Sequence, residues 1–104
     1  MFEALRTEIL ALDPGVTEEF LKLYVAYKAE TNFVDIIPQA QGLVLSVNTK
    51  DEALHDPRNL CKDVSNQGRW GNGDYEIKVT SEAEIPYAMG LVRQALEVQL
   101  GESD

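Results

Sequence analysis

The chain has little of what a metal or redox site is built from. Its 104 residues include one cysteine, Cys61, and one histidine, His55. A structural zinc ion takes four such ligands and a catalytic one takes three plus water, so no metal and no cofactor is implied. The same scarcity argues against Cys-His nucleophilic catalysis, because no third group is marked to orient the pair. A lone cysteine forms no internal disulfide. It fits a reducing compartment and the role of a small buried apolar residue.

Basic charge is also scarce, with 9 Lys and Arg against 18 Asp and Glu for a net charge of −9. The deficit sits at the two ends. Residues 1–19 set Arg6 against five acids and residues 81–104 set Arg93 against five more, while 20–80 holds seven basic and eight acidic residues. Binding to nucleic acid without sequence preference rests on neutralising phosphates, so only the middle segment could meet a polyanion. Elsewhere the acidity serves solubility. No apolar run approaches the roughly 18 residues of a membrane span, and the N-terminus lacks the form of a signal peptide. These absences lead us to expect a soluble, cytoplasmic, single domain over 1–104, large enough to fold without a staple.

Local patterns then order the elements. Phe2, Leu5, Ile9 and Leu12 recur at helical spacing until Asp13-Pro14-Gly15 stops the helix. In Val16–Glu30, Thr17 followed by Glu18 and Glu19 could open a helix, but Leu23, Val25 and Tyr27 alternate with Tyr24, Ala26 and Lys28. The aromatic and β-branched content favours a strand from about Leu21 to Ala29. A second strand runs from Phe33 to Ile37 and is ended by Pro38. A third covers 43–48. Residues 48–63 read as polar and irregular.

The clearest local signal is Gly68-Arg69-Trp70-Gly71-Asn72-Gly73-Asp74-Tyr75-Glu76. Asn72-Gly73 suits both central positions of a type I′ turn, which sets Trp70 opposite Tyr75 and Arg69 opposite Glu76. The glycines are turn geometry rather than a phosphate loop, since no Gly-Lys-Ser/Thr follows and the segment leads into a strand. That fourth strand alternates cleanly through Val79. Ser81-Glu82-Ala83-Glu84 fits a capping box, Pro86 delays the helix proper, and Gly101 ends it. The expected fold is α+β: a small antiparallel four-stranded sheet in the order α-β-β-β-β-α, with both terminal helices on one face.

Function is less legible. With Val34 and Ile36 inward, Phe33, Ile37 and Tyr24 would form an open patch with Lys28 beside it, fit for a protein partner or a homodimer. With the opposite register, Phe33 and Ile37 enter the core. Arg69, Trp70 and Tyr75 could stack a base or anchor a protein, or Trp70 could simply plug the end of the sheet. An enzymatic alternative uses Glu76 and Lys78, which share a strand face, with Asp63 or Asp74 as a second carboxylate. That set is similar to the Asp…Glu-x-Lys arrangement of magnesium-dependent nucleases.

Several stretches together carry a family resemblance. These are Phe33-Val34-Asp35-Ile36-Ile37-Pro38-Gln39, the strand at 43–48, the tryptophan hairpin and Ile85-Pro86-Tyr87-Ala88. Over nearly its whole length the chain resembles an uncharacterised bacterial family, domain of unknown function 5655, sometimes labelled predicted transport proteins. Family members commonly carry histidine where this chain has Arg69. The family is similar in element order to double-wing and iron-chaperone-like α+β domains and occurs fused to restriction-type or nuclease domains. The resemblance implies an accessory role near nucleic acid, and the function expected first is a non-enzymatic accessory or binding domain that recognises nucleic acid or a protein.

Overall fold

The computed structural model describes residues 1–50, 52–63 and 74–101. Helix α1 spans Phe2–Leu10 and is followed by strands β1 (Thr17–Phe20), β2 (Val25–Lys28), β3 (Asn32–Gln39) and β4 (Gly42–Val47). Two further strands, β5 (Lys62–Asp63) and β6 (Tyr75–Val79), precede the long helix α2 (Ile85–Leu100). All six strands form one antiparallel sheet in the order β1-β2-β3-β4-β6-β5. The expected α+β class and antiparallel pairing are present, but the sheet has six strands rather than four. Of the single strand anticipated over 21–29 only Val25–Lys28 is strand, β2; residues 21–24 reverse the chain from β1 before it, and β5 pairs with β6.

Register explains the core. Tyr27, Val34, Val47 and Tyr75 fall in one cross-strand row, and Val25, Ile36, Leu45 and Ile77 in the next. On this face Leu5 and Ile9 of α1 join Ala88, Leu91, Val92, Ala95 and Leu96 of α2 in one buried apolar cluster with the sheet residues. Both helices thus cover the same face, as their apolar stripes require.

The opposite face is not open in its middle. A third row crosses all six strands as Glu19, Ala26, Asp35, Ser46, Glu76 and Lys62. Asp35 and Ser46, at its centre, have no exposed surface, and Ile37 and Val44 beside them are buried as well. Phe33 is also fully buried. The ladder pairs Tyr27 with Val34 but Lys28 with Asn32, so Phe33 is the extra residue of a bulge. A bulge re-aims a side chain, which lets Phe33 and Val34 both join the core cluster. The expected patch of Phe33, Ile37 and Tyr24 is therefore corrected: Phe33 and Ile37 are interior, and only Tyr24 keeps exposed surface.

The start of α2 follows its sequence. Ser81 and Glu84 form the capping box, with the Thr80 and Ser81 N–H groups donating to Glu84 Oε1 at 2.7 and 3.2 Å. Those donors hold the Glu84 carboxyl below its ordinary value. One 3-10 turn, Glu82–Glu84, leads into α2 with Pro86 in its first turn. The helix ends on Gly101 at φ 72°, a left-handed conformation that suits glycine.

Two glutamines of α2 then clip loops by imitating backbone. Gln99 accepts from the Thr31 N–H at 3.1 Å and donates to the Asn32 carbonyl at 2.7 Å. Gln94 accepts from the His55 N–H and donates to the His55 carbonyl, both at 2.8 Å. Each side-chain amide satisfies one donor and one acceptor that would otherwise need water.

Candidate functional site

The segment joining β1 to β2 is the candidate. Leu21 N–H donates to the Tyr24 carbonyl at 2.9 Å and closes the reversal through Lys22 and Leu23. A connection this tight is ordinarily made with Gly, Asn, Asp or Pro, each of which eases the backbone. Here it reads Leu21-Lys22-Leu23-Tyr24. Phe20 is 64% exposed, Leu23 55% and Leu21 41%, with Tyr24 half-buried beside them. Phe2 on α1 meets the Phe20 ring edge-on at a centroid distance of 6.5 Å and widens the apolar rim.

A part-buried polar cluster holds this rim in place. Arg6 on α1 donates from Nε to Glu18 Oε2 at 2.7 Å and from Nη2 to Oε1 at 2.9 Å. The Tyr27 hydroxyl donates to the same Oε2 at 2.8 Å. The hydrogen bond from Arg6 pulls the Glu18 carboxyl below its ordinary value. Burial opposes that pull, and the Tyr27 bond reinforces it. Burial, followed by the Glu18 bond, pushes the Tyr27 phenol well up. Charge-assisted bonds of this kind fix geometry better than single contacts. The cluster ties the hairpin to α1, and the tip of the hairpin is apolar.

A second cluster lies where the 54–61 segment meets α2. The Tyr87 hydroxyl donates to Asp56 Oδ1 and accepts from the Arg58 N–H at 3.0 Å, while Cys61 N–H donates to Asp56 Oδ2 at 2.8 Å. The Arg58 guanidinium lies 5.0 Å from the centre of the Tyr87 ring. Burial pushes Asp56 up, but the bonds from Tyr87, Cys61 and Leu60 together outweigh it and leave the carboxyl below its ordinary value. Burial, with Asp56 next, pushes the Cys61 thiol up to about 12. Such a thiol is not a nucleophile near neutral pH.

The sequence-predicted residues are dispersed. Arg69 and Trp70, and the Asn72-Gly73 turn between them and Tyr75, lie outside the described residues. Tyr75 is half-buried in β6 between Val47 and Asp63. Lys28 is exposed and donates to Glu19 Oε1 at 2.8 Å. Glu76 and Lys78 do share a face while Ile77 enters the core. Asp63, however, pairs with Tyr75, and Lys62 pairs with Glu76. Asp63 therefore points to the opposite face from Glu76. Asp74 is buried and accepts from Thr49 Oγ1 at 3.4 Å. Among the described residues no group of three His, Cys, Asp or Glu could hold a metal ion.

Phe20, Leu21 and Leu23 were not singled out from the sequence. The available signal was an apolar stretch with no turn-forming residue at a place where one long strand had to be broken.

The family described as Domain of unknown function (DUF5655) matches residues 1–99. An uncharacterized protein of Haemophilus influenzae is 42% identical over 97 residues, which cover 93% of this chain and 32% of that protein. The chain thus spans about a third of the length of the curated relative it matches. No solved structure matches it. No helix among the described residues is long and apolar enough to cross a membrane.

Proposed function

The chain belongs to the DUF5655 family, and from that premise we propose that it is a non-enzymatic recognition domain that binds a protein partner through the apolar turn between β1 and β2. The observation that carries this reading is the exposure of Phe20, Leu21 and Leu23 at a reversal made without any turn-forming residue. A single exposed leucine needs no explanation, but three large apolar side chains within four residues do. Folding gains nothing from holding them in water. Burying one such side chain against a partner contributes about 1.5–3 kcal/mol, so three can anchor an interface.

Protein suits this surface better than nucleic acid. The rim lies beside an acidic terminus, where residues 1–19 carry one basic and five acidic side chains. A polyanion meets repulsion there, whereas a protein surface meets an apolar anchor with a charged surround.

A photo-crosslinking residue at Leu23, with a control at Glu52, tests the reading in cells that make the protein. A discrete protein adduct from position 23 and none from position 52 is expected. Equal labelling from both positions, no adduct, or an adduct to nucleic acid overturns it. Filter binding across a salt series should show no retained DNA or RNA at any ionic strength.

A further inference from the structure

Given that reading, the conformation and composition of the partner follow from the strand beside the turn. β1 is the outermost strand on its side and, among the described residues, has a neighbour only in β2. The bond from Leu21 N–H to the Tyr24 carbonyl sets the phase of the ladder. Inward-bonding pairs then recur at every second position as Glu19 with Ala26 and Thr17 with Lys28. The N–H and C=O groups of Glu18 and Phe20 are left facing the open edge. Edges are blunted by shortness, charged side chains, proline or a bulge. The four-residue Thr17-Glu18-Glu19-Phe20 strand has neither proline nor bulge, and its only charges are the two glutamates, which select against an acidic strand. At the other end of the sheet β5 is two residues long and offers little to extend.

The side chains flanking this edge differ between its faces. On the helix side Phe20 and Phe2 form an apolar ledge. On the other side Glu19 is exposed and forms an ion pair with Lys28, which is exposed as well. The Glu18 charge is committed to Arg6 and Tyr27. A strand added beyond β1 would therefore meet aromatic surface at one residue and a carboxylate at the next.

The geometry points to β1 as a docking edge that takes an extended segment of a partner protein in which apolar and basic residues alternate. Main-chain bonds to Glu18 and Phe20 supply affinity, and the alternation supplies choice of partner. The apolar residue faces Phe2 and Phe20, and the basic residue faces Glu19. A second copy of this chain fits less well. Antiparallel self-pairing about the middle of β1 sets glutamates opposite one another along the seam, and like charges directly opposite are destabilising.

Amide hydrogen exchange read by nuclear magnetic resonance tests this with three synthetic peptides. One alternates lysine and valine, one alternates glutamate and valine, and the third is the lysine-valine peptide with proline at every third position. The lysine-valine peptide should slow exchange at the Glu18 and Phe20 amides by about tenfold or more, and the other two should not. Glu19→Lys should weaken that peptide's binding by about three- to tenfold, while Glu52→Lys, at the control position, should leave the protection unchanged. Protection by the proline peptide, protection by none, or protection that rises with protein concentration alone overturns the proposal; the last assigns the edge to a second copy. Unprotected amides together with a persisting adduct from Leu23 reject the edge and leave the recognition reading intact. Loss of that adduct as well rejects both.

Discussion

Arg6 on α1 and Glu18 on β1 are joined at two points, 2.7 Å and 2.9 Å, across twelve residues of sequence. Tyr27 closes the same carboxylate from below. The pair ties the N-terminal helix to the outermost strand, and the apolar turn inherits its position from that tie.

This cluster makes stability depend on pH at both extremes. Glu18 has a folded-state value below its ordinary 4.5, so its contribution is complete above that value and is lost as pH falls through the folded one. Tyr27 has a folded-state value above its ordinary 10.0, so its contribution is complete below pH 10.0 and is lost as pH rises. Urea midpoints measured against pH should form a plateau between roughly pH 5 and 9, falling on both sides. Glu18→Gln should shrink the acid fall. Tyr27→Phe should shrink the alkaline one and lower stability by about 1 kcal/mol on the plateau.

Cys61 should react slowly. Its thiol, pushed up to about 12 by burial and by Asp56, is almost wholly protonated at pH 8. Ellman's reagent should label the folded chain far more slowly than the chain in concentrated urea. Asp56→Asn removes the neighbouring carboxylate and should speed the reaction. Equal rates in folded and unfolded protein contradict the placement of Cys61 against this cluster.

Two glycines should respond in opposite directions. Gly42 sits at φ 155°, and an added Cβ would lie 2.6 Å from the Val79 carbonyl oxygen. Gly42→Ala should therefore cost about 1–3 kcal/mol through strain at the start of β4. Gly90, exposed within α2, has nothing within 4 Å of an added Cβ. Gly90→Ala should stabilise by about 0.5–1 kcal/mol, because it removes backbone freedom from the unfolded chain. Urea denaturation of the two variants checks both signs.

The parts of the fold that depend on neighbouring residues were readable in advance. The capping box at Ser81, the late helix start at Pro86 and the stop at Gly101 involve groups within a few residues of one another. The β1–β2 reversal was not readable, since Leu21-Lys22-Leu23-Tyr24 carries no residue whose backbone preference marks a turn. Alternation told which residues of β3 share a face, yet Phe33 entered the core through a bulge that only pairing with β2 creates. β5 has two residues and exists through its bonds to β6. The candidate site combined both difficulties: its signal was an apolar segment where strand propensity and solvent exposure had to be separated.

The central claim is that the tip of this hairpin is apolar for a partner's sake and not for the fold's. Leu21→Ser with Leu23→Ser, carrying a photo-crosslinking residue at Lys22, tests it most directly. The urea midpoint should match the parent within about 0.5 kcal/mol, as for a surface change, while the protein adduct seen from Lys22 in the parent disappears. An adduct retained at parental yield, or lost only in proportion to a loss of stability, would contradict it.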